Sequence, residues 1–212
     1  MSADEEYDEE RRERGRSEPP PAAPGESAHP ALALANTAIT LPGGRALDLL
    51  AVPAEAEDWL AAHGLAPAGI GVREQCATQL RALREHVRSL LAARADGLPP
   101  HRSALAAVND AMTRAPAVPL LYWDPVRGLH RAAPHPVDAA LDHALAALAT
   151  DAADLLAGPE ADRLAACASL PCNRFLLQHG RRRHWCSTRC GDRARAARAY
   201  ARRTGPAAVT RG

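Results

Sequence analysis

The residues in this chain best suited to chemistry are four cysteines near its C-terminal end, Cys167, Cys172, Cys186 and Cys190. They fall as two close pairs, C-x4-C and C-x3-C, with a dozen or so residues between them. That is the spacing of a four-thiolate zinc site, in which Zn2+ sits in a tetrahedron with Zn–S near ~2.3 Å. The same spacing leaves open four unrelated structural cysteines, or a redox switch built from the thiols. The fifth cysteine, Cys76, lies on an apolar stripe far upstream and reads as a small buried hydrophobe outside the ligand set.

To hold one ion, each pair needs its own local element. Cys167 and Cys172 can wrap it as a knuckle. The stretch between the pairs, Arg174-Phe175-Leu176-Leu177 and Arg182-Arg183-His184-Trp185 around Gln178-His179-Gly180, predicts a hairpin with Phe175 and Trp185 packed behind the metal. Cys186 and Cys190 stand at i and i+4, so the first turn of a helix would aim both at the ion, with Ser187 as its N-cap. Knuckle, hairpin and ligand-bearing helix, in that order, describe a treble-clef-like finger.

Arginine dominates the same region. The chain has no Lys, and its 26 basic residues are all Arg. From Cys167 onward the only acid is Asp192, against Arg181, Arg182, Arg183, Arg189, Arg193, Arg195, Arg198, Arg202, Arg203 and two more. Arg195, Arg198 and Arg202 recur at three- and four-residue steps, on one face of the helix after Cys190. Ala194, Ala197, Tyr200 and Ala201 are left to pack on the finger. Guanidinium groups pair bidentately with phosphate and with the guanine edge, so these nine arginines are the candidate contacts to double-stranded DNA. One or two of them could instead offset the charge of the thiolates.

Upstream, Ala and Leu prevail and aromatics make up only 3% of the residues, which predicts a mainly α-helical domain. Residues 53–63 predict a short helix opened by Pro53, and residues 70–95 the clearest one, with Val72, Cys76, Leu80, Leu83, Val87, Leu90 and Leu91 inward and Arg73, Arg81, Arg84, Arg88 and Arg94 off the stripe. A helix over Ser103–Arg114 turns Leu105, Val108 and Met112 inward. Residues 117–132 predict a β-hairpin around Asp124-Pro125, with Tyr122 and Trp123 on opposite faces, either both packed or one in the core and the other lining a ligand site. A long helix opens at Pro136, and residues 159–166 make a helical lead into Cys167. Residues 30–50 show mixed periodicity.

The division follows: an acidic, Pro-rich disordered tail over 1–29, a helical domain over 30–158, the finger with its basic helix over 159–205, and a disordered tail over 206–212. No apolar run is long enough for a membrane helix, and the acidic N-terminus is no secretory signal, so we expect a cytoplasmic protein with reduced thiols and no membrane partner. There is no phosphate-binding glycine loop, nucleophile elbow or His-Glu-x-x-His, so no catalytic residue is assigned and no enzyme is expected.

Residues 167–203 resemble the CGNR zinc finger through Cys190-Gly191-Asp192-Arg193 and Arg182-Arg183-His184-Trp185-Cys186-Ser187. The upstream region is similar to the ABATE domain at Leu32-Ala33-Leu34-Ala35-Asn36-Thr37, Gly44-Arg45 with Asp48-Leu49-Leu50, Trp59-Leu60, Leu83-Arg84 and the hairpin around Trp123. The resemblance implies a stress-responsive bacterial transcription regulator. Its C-terminal finger would bind DNA, and its N-terminal domain would take a small-molecule effector or form a homodimer. A zinc-stabilised module for RNA or for a protein partner is the alternative. Three features depart from the pattern: Asp192 stands for the usual Asn, the second cysteine pair is one residue shorter, and the loop between the pairs is shortened as well.

Overall fold

Ala and Leu supply most of the buried side chains, and helices carry them. The structure is a computed structural model that describes residues 20–115, 120–132, 140–178, 180 and 184–204. Helix α1 (Pro30–Ala35) is buried from Ala31 through Ala35, with Pro30 at its first position. A strand pair follows, β1 (Ala38–Thr40) with β2 (Ala46–Asp48), then α2 (Pro53–Ala62) and α3 (Glu74–Asp96). Helix α4 (Arg102–Thr113), the hairpin β3 (Leu120–Asp124) with β4 (Gly128–Ala132), and α5 (Ala140–Ala157) complete the helical domain. Next come β5 (Leu164–Ala166), β6 (Phe175–Leu177) and finally α6 (Thr188–Thr204). Each sheet is a two-stranded antiparallel pair: β1–β2, β3–β4 and β5–β6.

Helices α3, α4 and α5 pack on one another, and α1 lies across α3 and α5. The inward stripe of α3 is Ala77, Leu80, Leu83, Val87, Leu90 and Leu91. It begins one residue later than periodicity predicts, so Ala77 takes the buried position and Cys76 is half-buried. The helix stops at Gly97, whose φ of 66° is left-handed and suits a residue without Cβ. In α4, Ala104 turns inward beside Val108 and Ala111, while Leu105 is exposed.

A helix buried all round must find partners for its end groups. The Asp151 carboxylate accepts from the Ala31 N–H at 2.8 Å. At the other end the Arg88 guanidinium donates to the Ala35 carbonyl. Arg84, expected off the stripe, is 5% exposed and grips both Asp48 carboxylate oxygens at 2.5 and 2.9 Å. Burial alone would raise the Asp48 pKa, but the bonds from Arg84 and the Leu50 N–H outweigh it and lower it. One ion pair thereby fastens the β1–β2 pair to α3.

Two further expectations change. In β3–β4, Tyr122 lies opposite His130 and Trp123 opposite Leu129, on alternate faces as predicted. Both aromatics are exposed, Trp123 by 68%, so neither is core. Residues 159–166 form a single 3-10 turn, Ala161–Arg163, followed by β5 rather than a helix. The expected start of the hairpin at 117 and of the last domain helix at Pro136 lie outside the described residues, as do 1–19 and 205–212.

Candidate metal centre

Strand β6 has two working faces because alternate side chains point to opposite sides. Phe175 and Leu177 join the helical core with Leu164, and Leu176 packs with Cys167, Cys172, Cys186 and Cys190. The expectation of Phe175 behind the metal is therefore corrected: alternation puts Leu176 there instead. The partner of β6 is β5, with Leu164 opposite Leu177 and Ala166 opposite Phe175, and not the stretch ending at Trp185. The predicted hairpin partner falls partly on residues 181–183, outside the described residues.

The knuckle closes with hydrogen bonds from Cys172 N to Ser169 O at 2.9 Å and from Cys167 N to Arg174 O at 2.8 Å. Opposite it, Ser187 Oγ accepts from Cys190 N at 3.2 Å, as an N-cap does, and opens α6. The four cysteines are buried, and their sulfurs lie within 4.8 Å of one another. Cys186 Sγ is 3.6 Å from the sulfurs of both Cys172 and Cys190. A tetrahedron with metal–sulfur bonds of ~2.3 Å has edges of about 3.8 Å, so the four thiols fit one ion.

Their surroundings suit thiolates. Cys186 N donates to Cys167 Sγ at 3.4 Å, Arg193 Nη2 lies 3.2 Å from Cys190 Sγ, and Arg174 Nη1 lies 3.9 Å from Cys186 Sγ. Hydrogen bonds from Cys172 and Cys186 hold the Cys167 thiol well below its ordinary range. Bonding to Cys167 pushes Cys172 up to about 11 and raises Cys186 as well. A divalent cation would remove that competition, since it favours all four as thiolates.

Three polar residues outside the cysteine set tie this centre to the rest of the chain. Asn36 donates to Phe175 O at 2.8 Å and accepts from Phe175 N at 2.8 Å, serving as one more strand partner for β6. Asn173, next to Cys172, accepts from Thr40 N at 2.8 Å. Arg174 is 3% exposed and pairs with Glu26 at 2.7 Å. Residues 20–29, expected within a disordered tail, are part of this contact. Ala23 is buried against the cysteines, and Pro24 O accepts from Leu177 N at 2.8 Å. The apolar strand and the cysteine cluster supply the surface that the Pro-rich segment could not bury by itself.

Of the nine candidate DNA-contacting arginines, Arg181, Arg182 and Arg183 lie outside the described residues. Arg193 turns inward: besides Cys190, its guanidinium donates to the carbonyls of Leu170 and Ser169, clipping the knuckle to α6. Arg189 is exposed in the first turn of α6, and Arg202 and Arg203 are exposed in the last. Arg195 and Arg198 are exposed and lie over the Trp185 ring, with Cζ 5.7 and 5.5 Å from its centre. Arg195 also pairs with Asp192 at 2.5 Å, so the acid that departs from the CGNR pattern draws on one of the stripe's charges. Gly191 lets Trp185 approach, since a Cβ there would sit 3.2 Å from the ring. Of the residues expected to pack on the finger, Ala194 is half-buried while Ala197, Tyr200 and Ala201 are exposed, so α6 stays beside the finger only as far as Arg198 over Trp185.

Two family descriptions match the chain. ABATE, described as "Putative stress-induced transcription regulator", covers residues 28–159, and the CGNR zinc finger covers residues 163–203. Neither is an enzyme family. No curated protein matches. Among the described residues no helix is long and apolar enough to cross a membrane. With four buried thiols in the positions a finger requires, and a regulator domain over more than half its length, the chain belongs to the ABATE family and carries a CGNR zinc finger.

Proposed function

We propose that this protein is a DNA-binding transcription regulator in which a zinc ion, held by Cys167, Cys172, Cys186 and Cys190, fixes α6 as an arginine-bearing arm for duplex DNA. The observation that carries this is the exposure of α6. From Arg195 to Arg203 it presents Arg195, Arg198, Arg202 and Arg203 to solvent with no acid among them. A helix of 17 residues is about 25 Å long and of a width that the major groove admits. Arg189, at the base of the arm, adds a fifth outward guanidinium, whereas the donors of Arg193 are engaged inside the finger. The thiolate set favours zinc, because it offers four sulfurs and no carboxylate or open position. The helical domain is the regulatory part, and small-molecule binding is the input we assign to it.

The test is fluorescence anisotropy with a labelled random-sequence duplex, using protein as purified and after chelation. Zinc at one equivalent per chain, with binding that falls as salt rises and disappears on chelation, is the result expected. Affinity unchanged by salt or by chelation contradicts the proposal. Preferential competition by structured RNA would move the assignment to an RNA partner.

A further inference from the structure

A cleft of about 350 Å³ lies where the finger meets the helical domain. One wall is apolar, formed by Ile39, Leu41 and Pro42 from β1 and the turn after it. The other wall is the finger itself, with Arg189 and Arg174 beside the sulfurs of the metal centre. Such a volume, mostly apolar with a few convergent polar groups, is that of a small-molecule site.

Four arginines line the cleft, Arg45, Arg174, Arg189 and Arg193, and Arg189 and Arg174 give it its chemistry. Arg189 has no protein partner among the described residues, although arginines near it are engaged: Arg193 with Cys190 and the knuckle, Arg195 with Asp192. Arg174 is 3% exposed, and its Nε is buried without an acceptor, one of only two such side-chain atoms among the described residues. A buried N–H left unpaired is costly, and an anion would satisfy it. Among the described residues no carboxylate lines the cleft, and Glu26 holds only the Nη2 end of Arg174.

We infer that this cleft binds a small organic anion with an apolar body, its acid group on Arg189 and Arg174 and its body against Leu41 and Pro42. The occupant touches both the helical domain and the first turn of α6, so it couples the two. Its regulatory meaning rests on the reading of the chain as a DNA-binding regulator, but the binding does not. Cys172, Cys186 and Cys190 also line the cleft, so the occupant covers that side of the metal centre.

The experiment uses the full zinc-loaded chain and no DNA. The probe is 8-anilinonaphthalene-1-sulfonate, and N-phenyl-1-naphthylamine serves as the same body without the acid. We expect saturable binding of one equivalent of the sulfonate, weaker binding of the neutral compound, and slower loss of zinc to a chromogenic chelator when the sulfonate is bound. Arg189→Gln should weaken the sulfonate about tenfold or more, as loss of a charge-assisted bond does. Leu41→Asp should weaken it similarly, by setting a carboxylate in the apolar wall. Absence of saturable binding, or affinity unchanged in both variants, overturns the inference. So does a loss that follows Trp123→Ser on the exposed hairpin instead. Loss with Leu41→Asp but not Arg189→Gln overturns the assignment of an anion.

Discussion

Between Asn173 and Leu177 the finger is bonded to Asn36, Thr40 and the segment from Pro21 to Glu26, whereas from Arg195 to Arg203 its side chains meet mostly solvent. The contrast shows in the arginines. Arg174 is buried, paired with Glu26 and set beside a cysteine sulfur, while Arg198, Arg202 and Arg203 stand in solvent. In the first region charge is matched inside the fold; in the second it faces solvent. Cys186 and Cys190 join the two regions, so a metal held by the four thiols would, with Arg193, transmit the placement of the knuckle to the arm. A finger fastened in this way has an orientation set by the helical domain, which a flexible linker could not provide.

The comparison breaks most completely at the metal. Cys186→Ser should abolish stoichiometric zinc, measured by atomic absorption, because a structural site loses most of its affinity with one thiolate. The whole binding free energy of such sites is on the order of 10 kcal/mol, and the variant forfeits a share of it. The helices α1, α3, α4 and α5 have their own core, so far-ultraviolet circular dichroism should keep most of its helical signal. Collapse of that signal would mean that the two regions are one folding unit.

Next in size is the seam itself. Asn36→Ala removes both bonds to the Phe175 backbone, leaving a buried N–H and carbonyl without partners. It should cost about 2–4 kcal/mol in urea unfolding, with zinc stoichiometry retained. A cost within about 0.5 kcal/mol would show that the seam carries little of the stability.

The metal and the seam also mark what is legible in the sequence. The cysteine set, α2, α3, α4 and the β3–β4 hairpin are readable because each signal is local: a spacing, a period, a turn. Asn36, Asn173 and Arg174 are not, because their partners lie far away along the chain, Asn36 on Phe175 and Arg174 on Glu26. Asn36 shows only as part of the ABATE-like stretch over residues 32–37, with nothing to name its bonding partner, and Arg174 only as an Arg opening the apolar run Phe175-Leu176-Leu177. Arg84 misleads for a related reason. Its position on α3 is off the apolar stripe by residue type, and only Asp48 makes it inward. The order of residues 20–29 depends likewise on a surface made elsewhere.

A smaller effect sharpens how the N-terminal segment is held. His29 Nδ1 is 3.0 Å from Asp151 and Nε2 is 2.9 Å from Glu160. A neutral ring carries one N–H, so donation to both carboxylates requires the imidazolium. Burial lowers the His29 pKa, but the two carboxylates outweigh it and the net shift is upward from 6.5. A group with a raised folded pKa contributes its stability in full below the unfolded value and loses it as pH rises through the folded one. Stability should therefore decline above pH 6.5 in the native protein, a decline that His29→Gln removes. An identical pH profile in the two proteins would contradict this.

The most direct test of the central claim concerns the far end of α6, where nothing in the fold needs the charges. Arg202→Gln with Arg203→Gln should leave urea stability within about 0.5 kcal/mol and zinc content at one equivalent. The slope of log affinity for duplex DNA against log salt should shrink in magnitude by about 1 for each phosphate no longer neutralised, so by up to about 2. An unchanged slope in the stable, zinc-loaded double variant would contradict the account of α6 as the DNA-binding arm.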